Sequence, residues 1–269
     1  MLITAISQPF YLTRQKFYGK MINVGLCLDT FSNLYLKRTV MIFMSNTPKL
    51  IVMLTYNDKT AADAPEIFAQ CEESSAQYWG FKEEDLPLPK MKQLYADMKR
   101  CGKTTVLEVV AYTEDKCIEG AMMAVECGCD ILMGTMYSDK ILALCNEHGI
   151  KYMPFVGDVY DRPSVLGGTI DGMIADAKDY ISRGAYGIDL LAYRYTGDCG
   201  ELIRRFTSEV PAPVCIAGSI NSTERLDEIK AASPWGFTIG SAFFNGDFGE
   251  GFPSQIETVL DHIKEPAYV

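Results

Sequence analysis

The chain is poor in histidine, with only His148 and His262 among 269 residues. A three-histidine metal centre is therefore excluded, and acid–base work falls to Lys, Asp, Glu, Tyr or Cys. Both histidines close helical stretches, where a partly positive ring suits the helix dipole. Cys127-Gly128-Cys129 has one spacer residue where a zinc or redox pair has two, and no second pair faces it. No metal site is expected. Long apolar runs are also missing, and none reaches the length of a membrane span or a signal-peptide core. Positive charge is scarce. The net charge is −10, which argues against a nucleic-acid surface and against an anionic membrane as partner. Glycine is absent from TYNDKT (55–60), just after the first apolar strand. That excludes the Gly-rich fingerprint of a doubly wound dinucleotide-binding sheet.

Cysteine is plentiful but odd in number, at nine. Most cysteines fall inside apolar runs, which reads as buried, reduced thiols in a cytosolic protein. The expected location is therefore cytoplasmic. The first 46 residues differ from the rest. They carry Arg14, Lys16, Lys20, Lys37 and Arg38 against Asp29 alone, so +4, leaving −14 for the remainder. Their aromatics are scattered and show no clean period. They read either as an N-terminal extension or as a start placed too early, with Met44 or a neighbour as the true first residue. The second reading is the simpler.

From Lys49 onward, apolar runs alternate with helical patterns. Strands are expected over 49–57, 76–82, 104–111, 129–135, 150–157, 185–193, 213–217 and 235–240. Helices are expected between them, over 61–73, 89–101, 113–127, 138–148, 169–183, 200–210, 222–232 and 253–263. Gly102, Gly128, Gly149 and Gly184 stand where helices should stop. Runs such as LIVML and DILMG are nearly continuously apolar, as parallel strands covered on both sides tend to be. Eight strands in strict alternation with eight helices predict a single α/β domain over 47–269, a (β/α)8 TIM barrel. Both small-residue turns, Gly218-Ser219 and Gly240-Ser241, then follow strands 7 and 8. Bare backbone N–H groups at that place favour an anion, and this fold commonly holds a phosphate there.

Polar residues at strand ends are the candidates for chemistry. Glu108 and Asp189 interrupt otherwise apolar strands, and a carboxylate buried there needs a partner. Lys82 ends its strand at the height of the barrel mouth; Lys151 begins its strand, where the stability face lies. An ion pair of Glu108 with Lys82 or Lys151 and no chemistry is one reading. The other is a lysine and two acids that move protons beside a carbonyl, or a lysine that forms a Schiff base if kept neutral. Lys82 is preferred to Lys151. Arg194, after strand 6, is the expected clamp for a second anionic group. The long 157–168 segment is a candidate lid.

IAGSIN (216–221) and TIGSAFF (238–244) resemble the phosphate-binding pair of the ribulose-phosphate-binding barrel superfamily. That superfamily includes isomerases of histidine and tryptophan biosynthesis, phosphoribulose epimerases and small phosphosugar aldolases. More narrowly, LEVVA, KYMPF, GIDLLAYRY, AGSIN and TIGSA resemble a group of bacterial barrels often labelled hydroxythreonine-phosphate dehydrogenase. Enzymes of that name bind metal through histidines this chain lacks, so the label does not follow. LEVVAYT with KYMPF is also similar to 2-keto-3-deoxy-6-phosphogluconate aldolase, and this likeness implies Glu108 as base and Lys151 as Schiff-base lysine. It departs from that family in placing the two strands third and fifth. The resemblance implies a metal-independent lyase or isomerase, without cofactor, acting on a small phosphorylated metabolite. Gly218, Ser219, Gly240 and Ser241 would hold the phosphate. A non-catalytic barrel that senses a phosphorylated ligand and an FMN-binding barrel are the alternatives. Assembly as a homo-oligomer is compatible with the sequence.

Overall fold

A computed structural model describes residues 47–265; the expected extension over 1–46 lies outside the described residues. The apolar runs form eight barrel strands. These are β1 (Lys49–Met53), β2 (Tyr78–Lys82), β3 (Thr104–Val109) and β4 (Ile131–Gly134). The other four are β5 (Lys151–Met153), β6 (Ile188–Leu190), β7 (Val214–Ile216) and β8 (Gly236–Ile239). They hydrogen-bond in the order β6-β7-β8-β1-β2-β3-β4-β5, and every paired neighbour is parallel. Across the seam between β5 and β6, Tyr186 N–H donates to the Tyr152 carbonyl at 2.9 Å and Asp189 N–H to the Pro154 carbonyl at 3.0 Å. The result is the expected (β/α)8 barrel, nearly closed.

Helices α1 (Ala64–Cys71), α2 (Leu88–Arg100), α3 (Glu114–Cys127), α4 (Asp139–His148), α5 (Ile170–Arg183), α6 (Cys199–Glu209) and α7 (Thr223–Ala232) follow the first seven strands. After β8 comes a short α8 (Ser241–Asn245) and then α9 (Phe252–Lys264). Gly128, Gly149 and Gly184 take the left-handed position that ends α3, α4 and α5, where glycine carries no Cβ penalty.

Strand parity divides the core in two. Residues facing outward, such as Trp79, Phe81 and Leu107, pack under the helices. Ile51, Met53, Val106, Ile131, Met133, Met153 and Cys215 fill the barrel interior. The row that sends Val106 inward also sends Glu108 inward, two residues further up β3. In the β2–β3 ladder Lys82 is the register partner of Glu108. The N-terminal end of the barrel is closed by aromatics. Tyr78 and Tyr186 meet Trp235 edge-on, with ring centroids 5.6 and 6.2 Å apart.

Two short antiparallel ribbons depart from the expected strands. The first expected strand ends early, at Met53, and Thr55–Tyr56 pairs back with Lys59–Thr60. Asn57 and Asp58 at its tip have φ of 48° and 67°. Successive positive φ values are what a two-residue hairpin turn requires, and Asn and Asp tolerate them better than most residues. The second ribbon pairs Asp158–Tyr160 with Val165–Gly167 inside the long segment after β5. The eight cysteines among the described residues are free. Burial pushes the thiols of Cys71 and Cys199 up to about 11 and that of Cys145 to about 12.

Candidate functional site

A cavity of about 220 Å³ opens at the C-terminal mouth of the barrel. One part of its wall is the pair of small-residue turns. Gly218 and Ser219 have φ of 91° and 60°, on the left-handed side that residues other than glycine rarely take. The N–H groups of Gly218, Ser219, Ser241 and Ala242 donate to no acceptor among the described residues. Close approach makes glycine necessary here. A Cβ on Gly240 would lie 2.9 Å from the Thr55 carbonyl oxygen, and one on Gly218 would lie 2.9 Å from Arg194 Cγ. The corner is fixed from behind. Arg225 donates to the Ser219 carbonyl and, at 3.0 Å, to Asn221 Oδ1, with its guanidinium 4.8 Å from the Tyr193 ring centre. Arg225 thus turns back from α7 onto the loop before it.

The same cavity is lined by Lys82, Glu108, Asp58 and Arg194. Lys82 is only 5% exposed. Its ammonium donates to Asp58 Oδ1 and lies 3.8 Å from Glu108 Oε1. Arg194 lies 3.8 Å from the same Asp58 oxygen. Burial by itself pulls the Lys82 pKa down, but the attraction of Glu108 and Asp58 outweighs it and holds the pKa above its ordinary value. Lys82 is therefore a charged ammonium at neutral pH, not a free amine. Beneath this array sits Asp189, 1% exposed, with neither carboxyl oxygen hydrogen-bonded among the described residues. Burial drives its pKa far above the carboxylate range, Glu108 pushes it the same way, and Lys82 pulls it down by less. Burial and Glu108 both favour its neutral form. Among the described residues, no group of three or more His, Cys, Asp or Glu side chains is arranged to hold a metal ion.

The long segment after β5 covers part of the mouth. Arg162 donates to Glu84 at 2.8 Å and to the Val110 carbonyl at 2.5 Å, and lies 3.5 Å from Glu83. Tyr112 donates to the Asp161 carbonyl and lies 3.2 Å from Ser164 Oγ. Ser164 lines the cavity, and its carbonyl accepts from Arg194 at 3.4 Å. Tyr195 holds the other end through Gly168, at 3.0 Å.

The structure thus brings together Lys82, Glu108, Arg194, Gly218, Ser219, Gly240 and Ser241 around one cavity, with Asp189 below. It sets Lys151 apart. That lysine is exposed at the opposite end of the barrel, 4.7 Å from the centre of the Tyr186 ring, and the ion pair of Glu108 falls to Lys82. Of the histidines, His262 pairs with Asp227 at 2.8 Å, away from the cavity. Sequence reasoning missed Asp58 as a member of the array. The signal was present in Asn57-Asp58, a turn-forming dipeptide between two short β-prone pairs.

No protein-family model matches the sequence, and neither does any curated protein. Solved structures do. Thiamine phosphate pyrophosphorylase from Pyrococcus furiosus superposes with a TM-score of 0.58 at 16% identity, covering 82% of this chain and 98% of its own. The tryptophan synthase alpha chain of Legionella pneumophila gives 0.58 at 12%, covering 87% and 98%. N-acetylmannosamine-6-phosphate 2-epimerase from Clostridium perfringens gives 0.55 at 12%, covering 82% and 96%. At these identities the likeness establishes the fold alone, that of a (β/α)8 barrel.

Proposed function

We propose that this barrel is an enzyme acting on a small phosphorylated metabolite, and that it moves a proton beside a carbonyl, as an isomerase or an aldolase-type lyase. One observation carries the reading: a buried lysine–glutamate pair and a glycine-built anion corner share a single small cavity. The phosphate sits against Gly218, Ser219, Gly240 and Ser241, and Arg194 holds a second anionic group. Binding energy from this non-reacting end then orients the reacting carbons.

In the proton-transfer step, the Glu108 carboxylate takes a proton from the carbon next to the carbonyl. The C–H electron pair becomes a C=C bond, and the carbonyl oxygen gains the charge. The Lys82 ammonium stabilises that oxygen and can protonate it. Return of a proton to the neighbouring carbon, as the hydroxyl on that carbon loses its own proton, completes an isomerisation. In the lyase form of the step Glu108 instead takes the proton of a hydroxyl two carbons from the carbonyl, that O–H pair forms a new C=O, and the pair of the broken C–C bond forms the enolate whose oxygen Lys82 stabilises. The charged state of Lys82 favours this route over a Schiff base, which needs a neutral amine. Asp189 touches no solvent and acts through Glu108, as a neutral neighbour that keeps a second negative charge out of the interior.

The experiment is hydrogen exchange in heavy water, followed by proton NMR, with a panel of phosphorylated ketoses, aldoses and keto acids. The wild type should wash deuterium into one position of its substrate. Lys82→Ala and Glu108→Gln should each slow that exchange by about 10²–10⁴-fold, the usual contribution of a positioned acid or base, while still binding the phosphate ester. A ligand that binds tightly and exchanges no proton would favour the sensing barrel. No aromatic side chain lines the cavity to stack on an isoalloxazine ring, so nothing in the lining favours the flavin reading.

A further inference from the structure

Lys82, Glu108 and Arg194 leave two buried oxygens at the cavity unexplained. Asp58 Oδ2 and Thr55 Oγ1 have no hydrogen-bond partner among the described residues, although both groups line the cavity. The Asp58 side chain is 9% exposed and Thr55 is 6% exposed. Both oxygens ride on the hairpin that follows β1, and its geometry gives them no choice of direction. Thr55 and Thr60 are cross-strand partners at the base of the hairpin. Thr60 turns its hydroxyl away to bond Lys82, accepting from its N–H at 3.0 Å and donating to its carbonyl at 2.8 Å. At the tip, Asn57 N–H donates to Ser241 Oγ at 3.2 Å, so the turn is tied down to the anion corner. Asp58 Oδ1 is taken by Lys82. Only Oδ2 remains.

A buried acceptor left without a donor is costly, and a carboxylate oxygen more so than a hydroxyl. Four of the six such side-chain oxygens belong to Thr55, Asp58 and Asp189, all in or just under this cavity. Burial and Glu108 raise the pKa of Asp189. Asp58 is held by two cations, Lys82 and Arg194, and it lines the same cavity as the phosphate corner.

We propose that Asp58 is a specificity-determining residue of this site. Its Oδ2 accepts a hydrogen bond from a hydroxyl of the bound phosphate ester, with Thr55 Oγ1 completing the contact. The inference rests on the phosphate-ester reading above and adds to it a required donor on the ligand. A plain alkyl phosphate would fill the corner and leave Asp58 unpaired. A hydroxylated ester of matching length would satisfy both ends.

The test is calorimetric titration of the full chain with matched pairs of probes. These are propyl, butyl and pentyl phosphate against glycerol 3-phosphate, erythrose 4-phosphate and ribulose 5-phosphate. At least one hydroxylated ester should bind the wild type tenfold or more tightly than its alkyl match. Asp58→Ala should erase that difference while leaving alkyl phosphate affinity within about threefold. Asp58→Asn, which keeps the shape and the contact to Lys82, should also cut it at least fivefold, and Thr55→Val should cut it two- to threefold. A preference for hydroxyls that survives in both Asp58 variants overturns the proposal. So does the absence of any such preference in a wild type that binds alkyl phosphates. If no ester binds the wild type, the phosphate reading itself fails and the proposal falls with it. Gly218→Asp separates the two cases, because it should abolish binding of both members of each pair.

Discussion

The two ends of the barrel each present a lysine to the axis, and the contrast between them shows how position decides what a lysine can do. At the N-terminal end, Lys151 and Lys49 lie 4.7 and 5.3 Å from the ring centres of Tyr186 and Trp235. Their charges stay in contact with water, and the rings Tyr78, Tyr186 and Trp235 close the barrel by edge-to-face packing. Such contacts stabilise the fold, and on this side a single hydroxyl, Ser74 Oγ, is buried without a partner among the described residues. At the C-terminal end, Lys82 is sunk between Glu108 and Asp58, and oxygens beside it are left unpaired. Among the described residues, one end leaves a lone hydroxyl buried and unpaired, and no charged group. The other is built around something it does not contain by itself.

The sharpest way to break the contrast is Lys82→Met. It should lower proton exchange by at least ~10²-fold and destabilise the fold by roughly 3–5 kcal/mol, since two carboxylates would be buried without their cation. That loss should be largest at neutral pH and shrink on acidification, as denaturation curves at pH 5 and 8 would show. Equal losses at both pH values would contradict it. Trp235→Ala probes the other end. It should cost about 2–3 kcal/mol, below the range for a fully buried tryptophan, and leave phosphate-ester affinity unchanged in titration.

A subtler effect comes from Asp189→Asn. The folded pKa of Asp189 is raised, so its favourable contribution is complete below the unfolded value of about 3.9 and is lost as pH rises through the folded one. The asparagine variant should therefore gain on the wild type between pH 4 and 8, and parallel stability profiles would refute the buried neutral acid. Lys151→Met should change stability by no more than ~1 kcal/mol, the scale of an exposed cation–ring contact, with exchange rates within twofold. Smallest of all, the buried thiols of Cys71 and Cys145 should react with a disulfide reagent only upon unfolding.

Much of the barrel was legible in the chain because parallel strands and covering helices leave period and glycine marks that do not depend on distant partners. Glu108 and Asp189 were visible because each contradicts an apolar run, while the side each faces was settled only by the structure. The hairpin at 55–60 was read only for the glycine it lacks, and β1 was extended through it. Two-residue pairings leave too little pattern to separate from a strand end, although Asn57-Asp58 was a turn signal. The choice between Lys82 and Lys151 turned on height along the barrel, which a strand's two ends reveal. The aldolase-like KYMPF stretch pointed to Lys151, and the structure places that lysine on the opposite face.

The tip of that hairpin has a further consequence as a gauge. Asn57 is pinned to Ser241 and Asp58 to Lys82, so two adjacent residues fix the spacing between the phosphate corner and the charged array. A turn of two residues has no slack to redistribute. Lengthening it by one residue would slide the acid past the lysine while the anion corner stayed in place. On the proposed reading, the length a phosphate ester can span between the corner and the array is set by this one turn, and that turn is where a redesign of accepted ligand length should begin.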